Sequence, residues 1–184
     1  FRSDRPPMAT DGTAITYPGL DVTTDLATLA IDPQGLPLTY TFANVLGGAV
    51  RLSSDGHTAI FTPGAGFTGT ASFDFAADDG VGTSNSGTVR VTVRNASLVN
   101  ITFSQRDLVL APGATLSLAF TGLFSDGGSA ALPATYLHLT SSDASRFFVT
   151  SSGTLFAQNA GTALLMATAN GVTAATPVTI GAAD

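Results

Sequence analysis

The stretch Ala71-Ser72-Phe73-Asp74-Phe75-Ala76-Ala77 decides the fold, because the rings of Phe73 and Phe75 alternate with the polar Ser72 and Asp74. Successive side chains of a β-strand point to opposite faces, so one face of this strand is apolar and the other is polar and exposed to solvent. The same alternation recurs at Leu38, Tyr40 and Phe42 and at Val89, Val91 and Val93. The first half of the chain therefore reads as a series of half-buried strands.

Clusters of turn-forming residues separate these strands. They are Asp32-Pro33-Gln34-Gly35, Ser53-Ser54-Asp55-Gly56, Pro63-Gly64-Ala65-Gly66 and Asp78-Asp79-Gly80. Short strands with turns about every 8–12 residues are typical of a β-sandwich.

The alternation stops at Asn95-Ala96-Ser97 and then resumes in the second half of the chain. A length of 184 residues accommodates two sandwiches of about 90 residues each. We therefore predict an all-β protein of two sandwiches arranged end to end, with a linker and first domain over residues 1–95 and a second domain over 96–184. The expected cores are Tyr40, Phe73, Phe75, Val89 and Val91 in the first domain and Leu116, Leu118, Phe120, Leu155 and Leu165 in the second.

The composition supports strands and excludes several classes of partner. All 13 acidic residues are Asp, all 7 basic residues are Arg, and Thr occurs 27 times, whereas Glu, Lys, Trp and Cys are absent. Glu and Lys favour helices and Thr favours strands. The net charge of −6 disfavours nucleic acid as a partner, and without Cys there is neither a disulfide nor a thiolate metal site.

No apolar run is long enough to cross a membrane, so we expect no membrane insertion in this segment. The lead-in Phe1-Arg2-Ser3-Asp4-Arg5-Pro6-Pro7 is polar and resembles a linker between repeats. We expect the chain to be a piece of a longer protein.

The first half resembles the cadherin-like, immunoglobulin-like repeats that occur in tandem on bacterial surface proteins. The segments that carry this resemblance are Ala30-Ile31-Asp32-Pro33-Gln34-Gly35, Phe61-Thr62-Pro63, Gly66-Phe67-Thr68-Gly69-Thr70 and Asp79-Gly80. It implies an immunoglobulin-like sandwich and an extracellular location.

The second half resembles the group 2 bacterial immunoglobulin-like repeat of intimin- and invasin-type adhesins, which also occurs in virion proteins. The matching segments are Leu110-Ala111-Pro112-Gly113-Ala114-Thr115-Leu116, Ser141-Ser142-Asp143 and Ala160-Gly161-Thr162-Ala163. Leu139 stands where that family usually has a core Trp. We expect Phe147 or Phe148 to fill the space.

The sequence offers no arrangement typical of an enzyme. A hydrolytic triad needs a nucleophile, a base and an orienting group within hydrogen-bond reach. The two histidines, His57 and His138, fall in different predicted domains, and the Asp residues are scattered through turns. We interpret both histidines as surface residues and the chain as non-catalytic.

Asp32 and Asp79 form the one candidate metal site. The B–C and F–G loops of an immunoglobulin-type sandwich lie at the same end, and these two residues fall in those expected loops. Calcium takes 6–8 oxygen ligands, including carboxylates, carbonyls and waters. The resemblance to cadherins implies calcium here, although Gln34 replaces the second acid of their Asp-x-Asp motif. The alternative is that both residues only form turns.

Leu164 and Met166 are candidate contact residues because Ala163, Leu165 and Ala167 are expected to face the core of their strand. Two outward apolar side chains in register can begin an interface, although a loop can also cover them. Phe1 is a third candidate, since it opens a polar segment.

Three functions remain open at this point. The first is a structural or adhesive stalk segment of a bacterial surface protein or filament, whose partners are neighbouring repeats, copies of itself, or a host-surface protein or glycan. The second is an accessory module of a secreted polysaccharide-degrading enzyme, disfavoured because Trp is absent and the tyrosines are only Tyr17, Tyr40 and Tyr136. The third is a virion decoration protein.

Overall fold

The computed structural model describes residues 5–181 as β-strands joined by turns. Within that range the only helical segments are two short 3-10 turns, Leu26–Thr28 and Ala134–Tyr136. The all-β prediction is therefore confirmed. The chain divides into two compact units, Phe1–Asn95 and Ala96–Asp184.

The described residues of the first unit form a four-stranded sheet, a three-stranded sheet and one short strand pair. The strands are β1 (Met8–Ala9), β2 (Gly12–Thr16), β3 (Val22–Asp25), β4 (Ala30–Ile31), β5 (Thr39–Leu46), β6 (Gly48–Leu52), β7 (Thr58–Pro63), β8 (Gly69–Asp78) and β9 (Gly87–Val93). The sheet orders are β2-β9-β8-β5, β3-β7-β6 and β1-β4. All pairs are antiparallel except β2 with β9, which run parallel from Gly12 opposite Val89 to Thr16 opposite Val93.

The core of the first unit lies between its two larger sheets. Phe61 on β7 stacks on Phe73 on β8, with ring centroids 6.1 Å apart, so the sheets face each other across these rings. The five residues predicted for this core, Tyr40, Phe73, Phe75, Val89 and Val91, are all buried.

The described residues of the second unit form one four-stranded and two three-stranded sheets. The strands are β10 (Leu98–Phe103), β11 (Leu108–Leu110), β12 (Thr115–Ser117), β13 (Phe120–Phe124), β14 (Ser129–Leu132), β15 (His138–Ser141), β16 (Phe147–Val149), β17 (Thr154–Ala157), β18 (Gly161–Ala169) and β19 (Val172–Ile180). The sheet orders are β11-β19-β18-β15, β10-β13-β14 and β12-β17-β16. β11 and β19 run parallel.

The predicted core of the second unit needs correction at two positions. Phe120, Leu155 and Leu165 are buried, but Leu116 and Leu118 are only partly buried. The segment that holds them leaves one sheet for another: β12 pairs with β17, whereas β13 pairs with β10 and β14. Leu118 lies in the connection, where its N–H donates to the carbonyl of Gly153 at 2.8 Å.

Phe147 fills the core of the second unit and Phe148 does not. Phe147 has no exposed surface, while 40% of Phe148 is exposed. Phe147 lies opposite Ala157 and Phe148 opposite Phe156 in the antiparallel register of β16 with β17. Because neighbouring residues of a strand point to opposite faces, only one of the two rings can be buried.

Candidate functional site

Two loops leave the same end of the four-stranded sheet of the first unit. β5 begins opposite the end of β8, with Thr39 paired to Asp78, and the Thr39 hydroxyl donates to the Asp78 carbonyl at 3.3 Å. The loop before β5 holds Asp32, and the loop after β8 holds Asp79. The register therefore brings the two loops to one end of the unit.

Asp32 organises its own turn. It is 8% exposed, and its Oδ1 accepts hydrogen bonds from the N–H groups of Gln34, at 3.1 Å, and Leu36, at 2.5 Å. Its backbone carbonyl accepts from the N–H of Gly35 at 3.2 Å. Asp side chains commonly close turns in this way. One of the two carboxylate oxygens is thus committed to the loop backbone.

Asp79 organises the second loop but leaves one oxygen without a partner. Its Oδ1 accepts from the N–H groups of Val81 and Gly82, both at 2.7 Å. Its Oδ2 is buried and has no hydrogen-bond partner among the described residues. A buried carboxylate oxygen without a donor is costly, and a bound cation is one way to offset that cost.

Each carboxylate oxygen of the neighbouring Asp78 accepts a hydrogen bond from a local donor. It accepts from the Thr83 hydroxyl at 2.6 Å and from the Gly80 N–H at 2.8 Å. The Thr83 hydroxyl and then the Gly80 N–H hold the pKa of Asp78 below its usual value. Asp78 is therefore charged at neutral pH and adds negative potential to this end of the unit.

These loops fit calcium only in part. Among residues 5–181, no group of three or more His, Cys, Asp or Glu side chains is placed to hold a metal. Asp79 Oδ2 fits a cation, whereas Asp32 Oδ1 serves its turn. Calcium binding at this end would rest on Asp79 Oδ2, backbone carbonyls and waters, and it stays a prediction.

The two histidines lie at the surface of their units. His57 Nδ1 is 3.1 Å from Asp25 Oδ1, and its Nε2 is 4.0 Å from Asp55 Oδ2. His138 is exposed on β15, opposite Thr168 of β18. Each thus occupies a surface position, as interpreted from the sequence.

Leu164 and Met166 point outward from the four-stranded sheet of the second unit. Leu164 is 45% exposed and Met166 is partly buried, while Ala163, Leu165 and Ala167 are buried. This orientation agrees with the alternation in the sequence. The contact role of Leu164 and Met166 stays a prediction, and that of Phe1 lies outside the described residues.

One partly exposed aromatic pair was not among the residues predicted from the sequence pattern. Phe148 stacks on Phe156 with ring centroids 4.9 Å apart and planes 3° from parallel. The three tyrosines do not form such a surface: Tyr17 and Tyr40 are buried, and the hydroxyl of Tyr136 accepts from Asn170 at 2.8 Å. The adjacent pair Phe147-Phe148 was the available signal, because one ring of such a pair in a strand must point outward.

Residues 4–92 match the family described as "Bacterial Ig domain". No curated protein sequence matches the chain. Among residues 5–181, no helix is long and apolar enough to span a bilayer.

Several solved structures resemble the chain at low sequence identity. An endo-fucoidan hydrolase of glycoside hydrolase family 107 is 16% identical with a TM-score of 0.41, over 97% of this chain and 29% of that one. Domains 4 and 5 of the S-layer protein SbsC are 17% identical with a TM-score of 0.42, over 78% of this chain and 76% of that one. Part of mouse cadherin-23 is 18% identical with a TM-score of 0.38, over 98% and 68%. The chain thus spans less than a third of the hydrolase.

Proposed function

We propose that this protein is a non-catalytic structural or adhesive module of an extracellular bacterial protein. The observation that carries the proposal is the match of residues 4–92 to the bacterial immunoglobulin domain family. Two compact β units in one chain are in keeping with a segment of a longer array. Surface proteins build stalks from such repeats.

The use of the carboxylates supports a structural role. Asp32 and Asp79 accept from backbone N–H groups of their own turns, and Asp55 accepts from the N–H groups of His57 and Thr58. Asp11 accepts from Arg90 at 3.1 Å on an open sheet face. General acid–base chemistry needs carboxylates that face each other across a substrate. These residues instead stabilise turns and a surface pair.

The location is tested by labelling intact cells of the source bacterium with an antibody raised against this chain. Intact and permeabilised cells should label equally, and brief protease treatment of intact cells should remove the label. A cytoplasmic protein labelled in parallel provides the control. Label that appears only after permeabilisation would contradict the extracellular location. Label found instead on purified phage particles would favour the virion alternative.

The Phe148–Phe156 pair favours a second candidate function, a glycan-binding accessory module of a secreted enzyme. The stacked rings cover one face of each other, and the part of Phe148 that stays exposed is an apolar surface against which the C–H groups of a sugar can pack. Thr115 lies opposite Phe156 in the strand register, so its hydroxyl is close enough to border the pair. The net charge of −6 disfavours acidic polysaccharides, so neutral ones are the appropriate probes.

Electrophoresis through gels containing neutral polysaccharides tests this second candidate. Binding through the pair predicts retarded migration of the parent and a loss of retardation in Phe148→Ala. Val99→Ala is the matched control, because Val99 is 50% exposed on β10, a strand of another sheet. Equal migration of the parent with and without every polysaccharide tested would remove this candidate and leave the structural role in place.

A further inference from the structure

The outward face of the four-stranded sheet in the second unit carries neither Asp nor Arg on its two central strands. β18 and β19 present four directly opposed pairs on this face: Thr162 with Thr179, Leu164 with Pro177, Met166 with Ala175, and Thr168 with Thr173. Their inward neighbours Ala163, Leu165, Thr176 and Val178 are buried, which fixes the orientation of the face. We call these eight residues the threonine-bordered face.

The outward surface beside the threonine-bordered face continues over the two edge strands, β11 and β15, without gaining a formal charge. On β11, Val109 lies opposite Thr179 and is 74% exposed. On β15, Thr140 lies opposite Met166, and His138 lies opposite Thr168. His138 is the one titratable side chain on the outward register of these four strands. The apolar residues Val109, Leu164, Met166 and Pro177 thus share one uncharged surface.

The threonines at both ends of the face hydrogen-bond to each other. The hydroxyls of Thr162 and Thr179 are 3.1 Å apart, and those of Thr168 and Thr173 are 2.9 Å apart. A hydroxyl that already has a protein partner loses less on leaving water than an unpaired one. The border of the face can therefore be covered at little cost.

The corresponding sheet of the first unit is charged. Its outward face carries Asp74 and Asp78 on β8 and Arg90 on β9. Arg90 donates to Asp11 at 3.1 Å, and Asp74 accepts from Thr88 at 2.6 Å. Charged side chains on a sheet face oppose its burial against another protein. Of the two four-stranded sheets, that of the second unit therefore has the outward face that can be covered without burying a charged side chain.

We propose that the threonine-bordered face packs against the same face of a second copy of this chain. The inference rests on the proposed structural role, for which it names the partner. Along β18 the outward order is Thr, Leu, Met, Thr, and along β19 it is Thr, Ala, Pro, Thr. This order of threonine, apolar, apolar, threonine reads the same in both directions. A two-fold axis therefore places apolar residues on apolar residues and threonines on threonines.

The absence of charged side chains on the threonine-bordered face favours a second copy of this chain as the partner. Two copies of a chain with net charge −6 repel each other overall. On this face they meet without burying a carboxylate. A basic partner would gain nothing here, because the face offers no acidic side chain to pair with.

The size of the face sets the strength of the contact. The four strands of this sheet have 3, 9, 9 and 4 residues, and at about 3.3 Å per residue and about 4.8 Å between strands they cover roughly 400 Å², about half of what each partner buries in a standard interface. The dimer is therefore weak in dilute solution. Many copies held in one fibre or on one cell surface would strengthen it through high local concentration.

Sedimentation equilibrium of the whole chain, at concentrations from about 10 μM to about 1 mM, tests the proposal. The parent should show a reversible monomer–dimer equilibrium. Leu164→Asp should weaken it at least tenfold, because each dimer would bury two carboxylates. Ile15→Asp is the matched control: Ile15 is 56% exposed on the charged sheet of the first unit, and its replacement should leave the equilibrium unchanged.

A mixture of charge variants tests the face-to-face arrangement directly. Leu164→Asp and Leu164→Arg should each be monomeric, and an equimolar mixture should form a heterodimer. Their melting temperatures should match the parent, because Leu164 is exposed. A parent that is monomeric throughout the range, or a mixture that does not associate, would overturn the proposal. Either result would leave the extracellular role standing, since that role is tested on intact cells.

Discussion

Two features of the structure require glycine at position 47: its backbone conformation and the closeness of the neighbouring side chains. Its φ is +78°, in the region where a side chain is strained, and a Cβ there would lie 2.7 Å from the ring of Phe67 and 2.8 Å from the Cβ of Ala71. Its carbonyl accepts from the N–H of Gly64 at 2.9 Å. Gly35 has a similar φ of +76°, but no atom lies within 4 Å of the Cβ position. Substitutions at these two positions therefore distinguish the cost of backbone strain from the cost of steric crowding.

Gly47→Ala should destabilise the first unit more than Gly35→Ala does. Each replacement costs about 1–2 kcal/mol for the left-handed backbone. Gly47→Ala should lose about 1–3 kcal/mol more, because the new methyl group overfills a packed site. Urea unfolding of both variants measures the difference. Equal losses would show that Phe67 moves aside freely.

Ionised Asp55 stabilises the first unit, and this contribution is lost at acidic pH. The Thr58 side chain, followed by the N–H groups of His57 and Thr58, lowers its pKa to about 2 from the ordinary 3.8. Because the folded-state pKa is the lower one, this stabilisation is fully present above pH 3.8 and is lost as the pH falls through about 2. Asp55→Asn should flatten the dependence of the melting temperature on pH in this window. An unchanged pH profile would contradict the assignment.

The buried Oδ2 of Asp79 is the atom on which we expect calcium binding to depend. Calcium at about 1 mM should raise the melting temperature, because a ligand that binds only the folded state stabilises it. Asp79→Asn should abolish the gain, while Asp55→Asn, in a different turn, should retain it. Identical melting curves in calcium and in chelator would leave Asp32 and Asp79 as turn formers only.

At the scale of the element, β16 places two adjacent phenylalanines, Phe147 and Phe148, in different environments. Phe147→Ala should cost about 3–5 kcal/mol, because it empties a fully buried site. Phe148→Ala should cost much less, since it removes only a partly exposed stacking contact with Phe156. Thermal unfolding of the two variants gives the comparison. Similar losses would contradict the register of β16 with β17.

Strand patterns could be predicted from the sequence where one strand stays in one sheet. The alternation of Phe73 and Phe75 predicted the buried face of β8, because β8 lies between β5 and β9 and stays in one sheet along its length. From Leu116 to Phe120 the alternation continues unbroken while the backbone passes between sheets. Period two reports which side chains share a face, but not which partner strand accepts the N–H groups. That choice depends on residues distant in sequence, such as Gly153, whose carbonyl accepts a hydrogen bond from the N–H of Leu118.

The candidate sites were predictable to a similar extent. The loop positions of Asp32 and Asp79 followed from the sandwich pattern, and the outward orientation of Leu164 followed from alternation. The orphaned Oδ2 of Asp79 did not, because it depends on how the loop from 79 to 86 closes over one oxygen. The choice between Phe147 and Phe148 also did not follow, since alternation alone leaves the phase of a three-residue strand open.

At the scale of the whole molecule, each unit has its own buried residues. Phe61, Phe73 and Phe75 lie in the first unit, and Phe124 and Phe147 lie in the second. Residues 1–95 and 96–184, expressed separately, should each unfold in one cooperative transition, which calorimetry measures. A fragment 1–95 without a cooperative transition would contradict the division of the chain into two domains.

The parallel pairing of β2 with β9 has a mechanical consequence. When the first unit is pulled from both ends, these two strands are drawn past each other along their length, so the five paired positions from Gly12 to Thr16 bear the load together. Antiparallel neighbours pulled apart from one end would instead open one bond at a time. β11 and β19 give the second unit the same geometry over three positions. Under tension, the first unit should therefore yield at higher force than the second.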